Sequence, residues 1–205
     1  MNKLNEMKRI LFLSIVILFA VNLNAQQTGT FKDPRDGETY STITIEDPLL
    51  GTKVIWMAQN LRFRAANSWA YNNEEKYVKN LGRLYTWEAA QKVCPPEWRL
   101  PSVEDWEVLK NEFGGNKNAG APLKSIKGWK ENGNGSNASG FSAFPGGARN
   151  INGSFRDIRI YGYWWSASES NATAAYFLYI SYSSNYIDMS SWFKEVGFSV
   201  RCLRD

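Results

Sequence analysis

Two cysteines constrain this chain more than any other feature. Cys202 sits on an alternating segment at the C-terminal end, Gly197-Phe198-Ser199-Val200-Arg201-Cys202-Leu203-Arg204-Asp205. Its counterpart opens Cys94-Pro95-Pro96-Glu97-Trp98-Arg99-Leu100-Pro101-Ser102 in mid-chain. By period-two alternation, Phe198, Val200 and Cys202 share one face of a last strand over 198–203, and Ser199, Arg201 and Leu203 share the other. Cys202 therefore points with the apolar set, where a partner thiol is expected. A Cys94–Cys202 disulfide would close a loop of about a hundred residues and contribute ~4–5 kcal/mol on the chain-entropy account, less any strain. The alternative is a pair of free, buried thiols. Bonded, the two would staple the second half of the chain into one body.

The N-terminal end supplies the compartment in which such a bond persists. Lys3, Lys8 and Arg9 precede a continuous apolar run over 10–21, followed by Leu23-Asn24-Ala25. That is the layout of a secretory signal peptide with cleavage after Ala25. The run falls short of the ~20 residues a membrane-spanning helix needs. The expected organisation is a signal peptide over 1–25 and a single domain over 26–205, extracytoplasmic: periplasmic, surface-exposed or secreted. No membrane span is expected once the signal is removed.

Charge and composition narrow the chemistry. The net charge of +4 falls to +2 once the signal takes three cations and one acid with it. No basic stripe remains of the sort a nucleic-acid binder carries, so no nucleic-acid partner is expected. Histidine is absent, which removes Ser-His and Cys-His nucleophiles and histidine-ligated zinc. Aromatics are plentiful, with nine Trp, ten Tyr and eleven Phe. Most are expected in the core, Trp56, Trp87, Trp98, Trp106 and Trp164 among them, and the remainder are good contact surface.

Along the chain, residues 30–61 read as β-structure, broken by Asp33-Pro34-Arg35-Asp36-Gly37 and by a second turn over 47–52. Residues 62–80 read as loop. A short amphipathic helix is expected from Leu84 through Trp87 to Gln91. A better punctuated one starts at Ser102, with Asp105 three residues on, and carries Trp106, Leu109 and Phe113 before Gly114-Gly115. The polar excursion Glu131-Asn132-Gly133-Asn134-Gly135-Ser136-Asn137 has one carboxylate, too few for calcium, and reads as a flexible turn. No metal or cofactor is expected. Short strands are expected over 141–144, 158–163, 163–166, 174–182 and 186–189. Helices early and short strands late describe an α+β domain.

Six ordered segments carry a family resemblance. They are Trp56-Met57-Ala58-Gln59-Asn60-Leu61; Gly82-Arg83-Leu84-Tyr85-Thr86-Trp87; Cys94 through Ser102 with Trp106; Gly140-Phe141-Ser142-Ala143 into Pro145-Gly146-Gly147-Ala148-Arg149; Gly162-Tyr163-Trp164-Trp165-Ser166; and the closing segment from Gly197. In these the chain resembles the Fibrobacter succinogenes major paralogous domain, a secreted domain of Bacteroidetes and fibrobacters. It departs from the pattern at Gln59, where Glu is more usual, and at Glu97, where Gly is usual before the Trp. The resemblance implies a C-type-lectin-like fold, with two helices flanking a twisted antiparallel sheet and long loops building a ligand surface. The calcium-and-sugar tripeptides of animal lectins of that class are absent, so calcium-dependent sugar binding does not carry over.

These readings leave an extracytoplasmic binding module for a glycan or another surface protein as the expected function. The alternatives are a structural component of a surface assembly, or a carbohydrate-active enzyme using paired carboxylates drawn from Glu74, Glu75, Asp157 and Glu169. No catalytic residue is assigned. The expected ligand surface is Tyr182, Tyr186, Asp188 and Trp192, since from Ser183 onward the background turns polar and Tyr186 and Trp192 stand out against it. An aromatic side chain in a polar setting offers a flat face at little entropic cost, and neighbouring polar groups give direction.

Overall fold

The computed structural model describes residues 27–46 and 51–205. The expected signal peptide and residues 47–50 of the second turn lie outside them.

Two open sheets dominate the α+β fold. The smaller runs β1 (Thr28–Lys32), β2 (Thr39–Glu46), β3 (Lys53–Met57) and β12 (Leu203–Arg204), in that order. In the larger, β10 (Ile187–Phe193) lies beside β9 (Ala174–Ser181) and β8 (Tyr161–Glu169). Beyond these come β11 (Phe198–Ser199), β5 (Leu84–Tyr85) and β4 (Ser68–Trp69). A two-stranded ribbon, β6 (Ala148–Arg149) and β7 (Phe155–Arg156), completes the β-structure among the described residues. Between these strands all pairings are antiparallel except the single contact of β11 with β8, Ser199 opposite Trp164.

Helices are few. Single turns α1 (Val78–Leu81) and α2 (Trp87–Ala90) precede the ten-residue α3 (Val103–Glu112), and α4 (Gly115–Asn118) and α5 (Gly120–Leu123) follow it. The first expected helix is thus one turn, because Leu84 and Tyr85 pair as β5 between β11 and β4. Residues 62–80, expected as loop, hold β4, two short 3-10 turns and most of α1. The capping box of α3 forms as its sequence implies: Asp105 N donates to Ser102 Oγ (3.2 Å) and Ser102 N to Asp105 Oδ2 (2.7 Å). Trp106 and Leu109 are fully buried. Burial opposes ionisation of Asp105, but bonds from Arg99 and Ser102 more than offset it and hold the carboxyl below its ordinary range.

The core has two large apolar clusters, divided by parity along the long strands, and a small third one of Tyr71, Leu81 and Leu84. On β8, Tyr163 and Trp165 join one cluster and Trp164 the other; on β9, Ala175 and Phe177 face one way, Leu178 and Ile180 the other. The first cluster also holds Tyr40, Met57, Tyr85, Trp87 and Trp98, while Trp56, Trp106, Trp129 and Phe141 sit in the second. All five tryptophans assigned to the core from sequence are buried, together with Trp129 and Trp165.

The closing segment differs from the single strand its alternation implies. β11 lies in the large sheet and β12 in the small one, and the residues between run alongside 57–61, with Leu61 N donating to Val200 O and Met57 N to Cys202 O, both at 2.9 Å. The chain has to cross from one sheet to the other, so the ladder breaks. The alternation itself survives: Phe198, Val200 and Cys202 enter the first cluster and Leu203 the second. Cys202 is bonded to Cys94, 108 residues away, with the two Cα atoms 5.8 Å apart.

Candidate functional site

Asp188 and Trp192 lie on one strand, which runs on past the expected 186–189, and Tyr182 and Tyr186 precede it. β10 is an edge of the large sheet, pairing with β9 alone. On it Asp188, Ser190 and Trp192 share one face, opposite Tyr179, Phe177 and Ala175 of β9. Tyr186 lies just before the strand, and its hydroxyl donates to Asp188 Oδ2 at 3.0 Å. That carboxylate, as hydrogen-bond acceptor and nearby charge, raises the Tyr186 phenol above its ordinary range. Asn116 Nδ2 of α4 donates to the other carboxylate oxygen at 3.3 Å. Tyr186 is 41% exposed and Trp192 48%. Phe193, on the opposite face, is equally open and meets Trp192 edge-on, ring centroids 6.1 Å apart.

Tyr182 does not join this group. It packs beside the second core cluster, with Lys130 Nζ 5.5 Å from its ring centroid. The structure therefore brings together Tyr186 and Asp188, sets Trp192 roughly 13 Å farther along the same face, and turns Tyr182 away.

What fixes the β9–β10 turn is a buried lysine. Lys124 Nζ, just after α5, donates to Ser184 O at 3.0 Å and Ser181 O at 3.4 Å. Burial pushes its ammonium below its ordinary range. Gly120 N donates to Asn185 O at 2.9 Å, so the same segment holds the turn twice. The excursion expected to be a flexible turn is likewise bound: Asn134 Oδ1 accepts from Trp129 N, Asn137 Oδ1 from Ser142 N, and Ser125 O from Gly135 N.

The four carboxylates weighed for catalysis are each held by a cation. Glu74 pairs with Lys76, Glu75 with Arg83 (2.6 Å), Asp157 with Arg156, and Glu169 with Lys194 (2.8 Å). Asp157 also accepts from the Tyr163 hydroxyl at 2.9 Å. Glu75 is held below its ordinary range, first by its bond from Arg83. No group of three His, Cys, Asp or Glu converges as a metal-ligand set among the described residues.

Sequence reasoning missed the buried polar centre. Asn60 Nδ2 donates to Leu81 O (2.8 Å), and Asn60 Oδ1 accepts from Trp164 Nε1 (2.9 Å) and Arg201 Nε (3.0 Å). Phe144 O and Ser199 Oγ lie 3.4 Å from the same amide nitrogen. One amide thereby ties together four of the six motif segments and the residue just before a fifth, Leu81. Gly82 must be glycine here: its φ is +73°, and a Cβ would come within 2.6 Å of Asn60 Cβ. Arg201 adds bonds to Ser142 O (2.7 Å) and Phe141 O, and its guanidinium carbon stands 4.2 Å from the Phe141 ring centroid. The available signal was the co-occurrence of an Asn and an Arg within otherwise apolar motifs.

A surface cleft of about 930 Å³ opens beside Gln59, the neighbour of Asn60, and is lined by Asp36, Arg62, Phe63, Lys79 and Arg83 among others. Motif residues Gln59 and Arg83 lie on its wall, on the far side of the large sheet's strand order from β10. No helix among the described residues is long and apolar enough to cross a membrane.

No curated protein and no solved structure matches the chain. A family model does, that of the Fibrobacter succinogenes major domain, over residues 50–204. The match takes in all six motif segments, the disulfide and the polar centre they surround, and the chain belongs to that family.

Proposed function

We propose that this protein is an extracytoplasmic binding domain with a C-type-lectin-like fold, and that the outer face of β10 contacts a glycan. The carrying observation is the exposure of Trp192. Seven of the nine tryptophans are buried, yet this one stands about half open on an edge strand. Tyr186 and Asp188 share its face. Flat aromatic surface beside an anchored carboxylate suits sugar rings, which offer apolar C–H faces and rims of hydroxyl groups. The disulfide supports an oxidising compartment. A surface-protein partner is the second reading, favoured by the open edge of β10, whose backbone groups could accept an added strand.

The test is a glycan array with a parallel pull-down from outer-membrane extract, repeated with Trp192→Ala and Tyr186→Ala. Lost glycan binding at an unchanged melting temperature supports the site. Loss of folding in both variants would make them core residues and sink it, and capture of protein alone would favour the second reading.

A further inference from the structure

Arg201 is a buried cation without a counter-ion. Its side chain is fully buried, and no carboxylate lies within ion-pair distance of it among the described residues. Its bonds go to Asn60 Oδ1 and to backbone carbonyls, which solvate the charge but do not neutralise it. Buried charges in folded proteins are ordinarily paired, because desolvation of a lone ion is costly.

The missing partner has a place to sit. A notch of about 190 Å³ opens beside Arg201, adjoining the larger cleft through Gln59, Arg62, Lys79 and Asn80. Its lining carries four cations, Arg62, Lys79, Lys127 and Arg201, and no carboxylate. Arg62 is committed to Glu38 at 2.8 Å. Lys79 and Lys127 form no ion pair among the described residues and are exposed at the rim. Gln59 spends its carbonyl oxygen on Ser41 N at 3.0 Å, which leaves its NH₂ group to donate. Donors and positive charge thus converge on a space of oxyanion size.

We propose that this notch binds an oxyanion, the sulfate or carboxylate group of a small acidic ligand whose body extends into the adjoining cleft. Lys79 and Lys127 supply charge at the rim, the Gln59 amide donates from the wall, and Arg201 supplies the field from beneath. Charge-assisted bonds of this kind are the stronger class. The site is separate from β10 and does not depend on it.

The test is calorimetric titration of the protein with sodium sulfate, sodium phosphate and sodium glucuronate, ionic strength being held constant with sodium chloride. Saturable binding of at least one anion is expected. The Lys79→Ala, Lys127→Ala double variant and Gln59→Glu should each weaken it about tenfold or more. All three substitutions are at the surface or keep the Ser41 contact, so melting in chloride should not change. Trp192→Ala should bind the anion as the parent does. Preference for sulfate and phosphate would identify a tetrahedral ester group, and preference for glucuronate an acidic sugar. No saturable binding of any of the three, or binding equal in all variants, overturns the proposal.

Discussion

The buried polar centre where the chain crosses between the sheets and the β10 edge use polar residues in opposite ways. At the centre, Asn60 and Arg201 are buried and spend their hydrogen bonds on backbone carbonyls, an indole and each other. At the edge, Asp188 is partly exposed and takes bonds from two side chains, Tyr186 and Asn116. The first arrangement fixes architecture, since every bond joins segments distant in sequence. The second leaves aromatic faces open and a carboxylate held in place. Polarity inside this protein builds the fold, and aromaticity outside it is available for contact. The comparison can be broken or sharpened by substitutions at the two ends.

The largest effect is expected where the crossing segment is stapled. Replacing both Cys94 and Cys202 with Ala should cost about 4–5 kcal/mol, the chain-entropy value for a loop of this size, read as a lower urea midpoint with a steeper slope, because the unlinked denatured chain is more expanded. A loss below about 1 kcal/mol would mean that the polar centre alone closes the fold.

Next comes the centre itself. Asn60→Ala leaves the Trp164 indole N–H and one guanidinium donor unpaired in a dry core, so about 3–5 kcal/mol should be lost. Trp192→Ala at the edge should stay within about 0.5 kcal/mol. Thermal melts of the two variants decide the matter. Equal losses would abolish the distinction between a structural interior and a contact edge.

Much of the interior was legible in the sequence, and the reason is local. The α3 cap needs only Ser102 and Asp105 three residues apart, and the cluster assignment of Phe198, Val200 and Cys202 needs only strand periodicity. What periodicity cannot supply is pairing. The break between β11 and β12 follows from which sheet each half joins, and the Asn60–Arg201 contact spans 141 residues. At the edge, Tyr186, Asp188 and Trp192 were separable by their polar background, yet the strand expected over 186–189 runs on to Phe193, because an edge strand tolerates serine on both faces. Tyr182 was grouped with that surface for want of the turn held by Lys124, beyond which it packs beside the second cluster.

The last expected change is a gain, at Glu97. Glu97 adopts φ +67°, in the left-handed region that glycine occupies freely. The turn requires it, since Trp98 N donates back to Pro95 O at 3.0 Å and directs the indole into the first cluster beside Cys94. A non-glycine residue there costs about 1–2 kcal/mol in backbone strain. Glycine would relieve that strain and add flexibility to the unfolded chain worth about 0.4–1 kcal/mol. The balance predicts that Glu97→Gly stabilises the protein by about 0.5–1 kcal/mol, a rise of roughly 1–4 °C in melting temperature for a chain of this size. Because the turn leads directly into the disulfide, the gain should persist in the oxidised protein and should leave anion and glycan binding unchanged. A lower melting temperature would show that the Glu97 carboxylate contributes more than its backbone costs, and would place that exposed turn among the parts of the surface with a contact of their own.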